Sequence, residues 1–312
     1  MDVLSDAIAA MRTGLPHSSR THKFAPWGLR FGASDGAGFH VVLRGSCWLI
    51  PPECDEPLAL SPGDVVFLAH GRGHGLADDP ATPLVDVIEA PGGSWVLSED
   101  VPTGSGPSTL ILCGAYRLSR ARAHPLLTGL PDVVHLPARL GSHPALRSAI
   151  ELLGGELERP GPGSDAVVPA LLDTLLLYIL RAWLEEHAGP GTTGWAAALG
   201  DPAIAAALYG IHRDPARAWT VEELGARGGL SRAAFARRFT TVVGQPPLAY
   251  LTWWRMTTAG RLLSTDDAPL RTVAQRTGYS SEFAFAKAFK REYGVSPGRY
   301  RKERAAARGG EH

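Results

Sequence analysis

Residues 228–250 of this 312-residue chain recur, shifted by 50 positions, as residues 278–300. Nine of the 23 pairs are identical: Gly228/Gly278, Ser231/Ser281, Ala234/Ala284, Phe235/Phe285, Ala236/Ala286, Phe239/Phe289, Gly244/Gly294, Pro247/Pro297 and Tyr250/Tyr300. Chance at this composition gives only about two, so this is a motif duplicated once. Each copy reads as a short helix (Val221–Arg227 or Leu270–Thr277), a Gly suited to a left-handed C-cap, and a Ser at the N-cap of a second helix. Phe235 and Phe239, or Phe285 and Phe289, then sit four residues apart and share one buried face. That is helix–turn–helix, twice.

The outward face of the second helix carries Arg232, Ala233, Ala236, Arg237 and Arg238 in the first copy. In the second it carries Glu282, Phe283, Ala286, Lys287 and Lys290. Small and basic side chains suit a helix laid against phosphates and base edges. Between the copies, Pro247–Thr265 has the apolar period of a long helix that fixes their separation.

Charge supports a division of labour. The chain is neutral, with 31 basic and 31 acidic residues, yet residues 1–199 carry 13 and 21 while residues 200–312 carry 18 and 10. A net of −8 joined to a net of +8 indicates a polyanion-binding module fused to something else. The start, MDVLSDAIAAMRTGL, is acidic and amphipathic, which argues against a secretory signal and predicts a helix over 1–16. The most apolar stretch, Val167–Leu184, contains Pro169, Asp173 and Arg181, so it reads as a buried soluble helix and no membrane is expected. Cys47, Cys54 and Cys113 make neither a disulfide framework nor a CxxC pair, and the expected compartment is the cytoplasm.

From Trp27 to about Leu118, short apolar runs are broken by Gly, Pro and Asp, the texture of a sandwich or barrel. From Pro125 to His187 the period turns helical, with helices on either side of RPGPGSD (159–165). The stretch GPGTTG (189–194) coincides with the charge reversal and marks the domain boundary.

With YLTWWRMTTAGRLL between the two units and GYSSEFAFAKAFKREYGVSPGRYR at the end, the region Ala203–Glu303 resembles the AraC/XylS transcription-regulator DNA-binding domain. Upstream, FHVVLRGSCWL, GDVVFLAHGRGH and LCGAY resemble the cupin-type sensor half of one AraC subgroup. The resemblance implies a multidomain α+β chain. Residues 1–187 form a cupin-like β-barrel with dimerisation helices at 144–187, 188–199 a linker, and 200–312 an all-α domain with two helix-turn-helix motifs. It implies a DNA-binding regulator, not an enzyme, that acts as a homodimer on double-stranded operator DNA under a small-molecule, metal or redox signal. By position, the base-edge readers are Ala233, Ala236 and Arg237, then Glu282, Phe283, Ala286 and Lys287. Arg237 is the best placed of these to bond a guanine edge bidentately, and Lys290 is assigned to a phosphate.

The resemblance also raises the question of a cupin metal. The second cupin motif survives as Gly63–Asp64 followed by Ala69 to His74, with His74 at the ligand position. The first does not: Gly38 stands where its Glu belongs, and residues 31–38 contain no His. In its place, a tight turn at Arg44–Gly45 would set Cys47 across from Val42 and bring His40, Cys47 and His74 together, joined by Cys113. Such a set suits zinc, a reactive thiol or plain core filling, and all three readings stand at this point. The alternative from another class, a metal-dependent cupin enzyme carrying a DNA-binding tail, is weakened by the missing ligands.

Overall fold

The computed structural model describes residues 3–11, 16–34, 36–51, 56–89, 95–98, 104–118, 124–187 and 194–309. Two compact units divide them, and they interleave along the chain. One unit comprises residues 12–120 and 127–186; the other comprises 1–11, 121–126 and 187–312. This departs from a contiguous 1–187 sensor half, because the first helix and a short connector belong with the C-terminal helices.

The first unit is built on strands β1 (His17–Phe24), β2 (Gly28–Phe31), β3 (Ala37–Arg44), β4 (Cys47–Ile50), β5 (Leu58–Leu60), β6 (Val65–Leu68), β7 (His74–Ala77), β8 (Val85–Glu89), β9 (Trp95–Leu97), β10 (Ser108–Tyr116) and β11 (Val134–Leu136). One sheet runs β1-β10-β3-β6-β11 and the other β5-β4-β7-β2-β8-β9. Alternation along the strands fills the space between them: Val42, Val66, Leu68 and Ile111 from one sheet meet Leu29, Cys47, Leu49, Leu60 and Leu76 from the other. The expected β3–β4 hairpin does not form. Gly45, at φ 74°, turns the chain across from one sheet to the other, so β3 pairs with β10 and β6 while β4 pairs with β5 and β7. A Cβ at Gly45 would also lie 2.4 Å from the Ser108 carbonyl oxygen.

Helices cover the outer face of the first sheet. With α1 (Val3–Met11) and α2 (Pro125–Thr128) lying earlier in the chain, these are α3 (Pro144–Glu158) and α4 (Ser164–Glu186). Leu146, Ala149, Ile150 and Leu153 give α3 its buried stripe, and Arg20 of β1 pairs with Glu158 at 3.1 Å. Helix α4 is long and apolar enough to cross a membrane, but Leu172, Leu175, Leu176, Ile179 and Leu180 are buried within the chain. The Tyr116 hydroxyl donates to the Leu172 carbonyl at 2.8 Å, fixing the helix to β10.

The second unit is helical: α5 (Gly194–Gly200), α6 (Pro202–Arg213), α7 (Val221–Ala226), α8 (Arg232–Val243), α9 (Pro247–Thr265), α10 (Leu270–Arg276), α11 (Glu282–Tyr293) and α12 (Pro297–Gly309). The long linker helix has the limits its apolar period predicts. Helix α1 packs here as well, with Val3, Leu4, Ala7 and Ile8 buried and α6 and α9 as its neighbours.

Both copies of the repeat use the same local devices. Ser231 and Ser281 accept from the Ala234 and Ala284 amides, and Gly244 and Gly294 close the second helices in left-handed conformations. The Phe pairs stand 5.4 and 5.7 Å apart between ring centres. In the first copy the left-handed turn residue is Gly229, not Gly228. Gly228 is required for a different reason: a Cβ there would fall 2.3 Å from that of Ala203.

Candidate functional site

Helices α8 and α11 present the residues expected to face a polyanion. Arg232, Ala233, Arg237 and Arg238 are exposed on α8, with Ala236 half-buried; Glu282, Phe283, Lys287 and Lys290 are exposed on α11, with Ala286 half-buried. The buried faces are Phe235, Phe239 and Val243 in one helix and Phe285, Ala288 and Phe289 in the other. Phe283 is 80% exposed, and a large aromatic left in water at the start of α11 is an unsatisfied apolar surface. Helix α9 joins the copies as a spacer of roughly 28 Å, at 1.5 Å rise per residue.

The neighbouring arginines of α8 behave differently. Among the described residues, Arg237 forms no ion pair. Arg238 pairs with Asp201, which also caps α6 by accepting from the Ala203 amide at 3.0 Å. Arg238 therefore ties α8 to α6. No motif gave it this role; the one available signal was an Asp-Pro at 201–202, a helix-start signature that needs a nearby cation once buried.

Two further features escaped the sequence. Arg255 of α9 donates to the carbonyls of Pro215 (2.7 Å) and Arg217 (2.8 Å), joining the linker helix to the loop before α7. Burial lowers its pKa from the usual arginine value. Tyr250, wholly buried at the start of α9, meets His212 at 2.7 Å and His124 at 3.2 Å, and Asp6 lies 3.4 Å from the other nitrogen of His212. This polar node connects α1, the 121–126 connector, α6 and α9.

In the barrel unit, β10 sets Cys113 directly beside His40 of β3, and β7 brings His74 from the opposite sheet. His40 Nδ1 lies 3.0 Å from Cys113 Sγ, His40 Nε2 lies 2.7 Å from His74 Nε2, and His74 Nδ1 lies 3.3 Å from the Arg72 carbonyl oxygen. Phe31 stacks on His74 with ring centres 4.9 Å apart. Burial drives His40 well below the ordinary imidazole value, with His74 beside it adding to the effect, and burial holds His74 at about 4. Burial pushes both Cys113 and Cys47 up to about 12.

Three of the four sequence candidates thus converge. Cys47 instead belongs to the apolar core between the sheets, and Cys54 lies outside the described residues. The converged set does not fit a metal shell. His40 turns one nitrogen to each neighbour, so the three side chains do not aim at a common point. Among the described residues no group of three or more His, Cys, Asp or Glu side chains is arranged to hold a metal ion.

These groups border a cavity of about 210 Å³. His17, Ser19, Thr21 and Lys23, alternate residues of β1, give it a polar wall, and Leu29, Phe31, Leu68, Val87 and Leu97 an apolar one.

Residues 2–185 match the cupin family and residues 224–303 the helix-turn-helix domain family. An AraC-like transcription regulator of Streptomyces lividans is 36% identical over 97% of this chain and 98% of its own length. The HTH-type transcriptional regulator AlkR of Acinetobacter baylyi is 30% identical over 89% and 91%. Among solved structures, the DNA-binding domain of AdpA, a global transcriptional factor in complex with a target DNA, shares 36% identity. It spans 35% of this chain and 96% of that one, with a TM-score of 0.33.

Proposed function

The chain belongs to the AraC-like transcription regulators, a DNA-binding family and not an enzyme family, and from that premise we propose how it reads and regulates an operator. Helices α8 and α11 enter successive major grooves on one face of the duplex, with α9 setting their spacing. Arg237 reads a guanine edge, and Ala233, Ala236 and Ala286 approach thymine methyls. Glu282 accepts from a cytosine amine, Phe283 covers apolar base surface, and Lys287 reads a second edge. Arg232 and Lys290 hold phosphates; Arg238 fixes α8 and contributes no base contact. The observation that carries this reading is the exposed outer face of both duplicated helices, small and basic on α8 and carrying Lys287 and Lys290 on α11.

Selection of binding sites from random duplexes by the full-length protein tests it. Arg237→Ala is expected to erase preference at one position and cost about 1–3 kcal/mol on the cognate site. An unchanged sequence preference refutes the base-reading role. Lys290→Ala should weaken all sequences alike.

In this reading the barrel cavity receives a small-molecule signal, α3 and α4 carry a homodimer contact, and the protein works on operator DNA in the cytoplasm. The amphipathic cavity supports the first point. Leu152 of α3, 62% exposed, and Val167 of α4, also exposed, support the second.

A further inference from the structure

The hydrogen bonds around the cavity have only one consistent direction. A backbone carbonyl can only accept, so His74 Nδ1 carries the proton that it donates to Arg72, leaving His74 Nε2 an acceptor. His40 Nε2 must then donate, which leaves His40 Nδ1 free to accept from the Cys113 thiol. All four bonding groups are satisfied with every side chain neutral. One proton passed from Cys113 Sγ to His40 Nδ1 keeps each of these contacts, because an imidazolium donates from both nitrogens. The result is a nucleophile, its base and a third group orienting the base, with all three residues lining one cavity.

We propose that Cys113 is a receptor nucleophile for apolar α,β-unsaturated carbonyl compounds, activated by His40 and oriented by His74. This rests on the cavity being the sensor site and names the ligand class it takes. In the step, the Cys113 S–H bond breaks and its proton passes to His40 Nδ1 as sulfur bonds to the β-carbon. The C=C pair shifts to join the α-carbon to the carbonyl carbon, the C=O pair moves onto oxygen as an enolate, and the C=O bond re-forms as His40 returns the proton to the α-carbon. The product is a thioether; nothing is oxidised or reduced and no group leaves.

Three observations favour this class over bulk oxidants. The resting thiol is kept protonated, so it reacts only as His40, 3.0 Å away, takes its proton, which confines reaction to molecules seated in the cavity. The cavity walls around it include Phe31, Leu29, Val87 and Leu97, which select an apolar body. Lys23 lines the same cavity and its charge favours the thiolate form of Cys113, so the cavity holds a cation to meet the negative charge of an enolate. Cys47, locked in the core, is not on the cavity wall.

The test uses full-length protein with benzylideneacetone as probe and benzylacetone as its saturated, non-electrophilic analogue. Intact-mass and peptide mapping should find one adduct, on Cys113, before Cys47 or Cys54. His40→Gln should slow that addition by about a hundredfold, the scale of lost general-base assistance. His74→Gln, which leaves the base in place but unoriented, should slow it less, and serves as the second variant if His40→Gln does not fold. Addition first at Cys54 or Cys47, thiol oxidation in place of the adduct, or wild-type rates in both variants overturns the proposal. Benzylacetone separates the two levels. If it raises the melting temperature while benzylideneacetone leaves Cys113 unmodified, the covalent inference alone fails. If neither compound binds, the sensor reading fails with it.

Discussion

Arg237 and Arg238 stand side by side on α8, and a one-residue step, about 100° around a helix, separates an exposed side chain with no ion pair among the described residues from one committed to Asp201. Arg238→Ala should therefore destabilise the fold modestly, by about 1 kcal/mol for a pair whose Arg side is half-exposed, and leave the selected sequence unchanged. Histidines make the opposite kind of statement. His40, His74 and His124 are held neutral by burial. Their folded pKa values lie below the unfolded value of 6.5, so the unfolded chain binds more protons as pH falls and stability drops with it. A melting temperature that declines from pH 7 toward pH 4, with a shallower decline in His74→Gln, is the expected outcome; a flat profile would contradict the neutral hydrogen-bonded chain.

At the scale of elements, the family resemblance makes α4 a dimerisation helix, yet Leu176 is 2% exposed and belongs to the fold. Leu176→Glu should unfold the barrel unit, since a buried charge without a partner costs several kcal/mol. Leu152→Glu should leave the melting temperature nearly intact and shift sedimentation from dimer to monomer at micromolar concentration. If the wild type already sediments as a monomer, α3 carries no dimer contact. Local rules made α7 to α11 legible, because Ser caps, terminal glycines and i,i+4 phenylalanines act within a few residues. The β3–β4 connection was not legible. Arg44–Gly45 fits a hairpin as well as a sheet-to-sheet crossing, and only the partners of both strands, distant in sequence, decide between them. His40 and His74 still met, because alternation put both on inner faces.

For the whole molecule, the −8/+8 partition predicts that residues 187–312 alone bind duplex DNA with steep salt dependence and that residues 12–186 do not. Equal affinity of the two fragments would refute it. That fragment should also melt below the same unit in the intact chain, because it lacks α1 and the connector that meets Tyr250. Order of synthesis gives the interleaving a further meaning. Helix α1 is synthesised about 200 residues before α6 and about 250 before α9, the two helices it packs against, a wait of roughly 10–50 s at ordinary elongation rates. Throughout that interval the growing chain carries α1 with its apolar face uncovered, a ready substrate for a holding chaperone. The helical unit is completed only when α6 and α9 fold back onto α1.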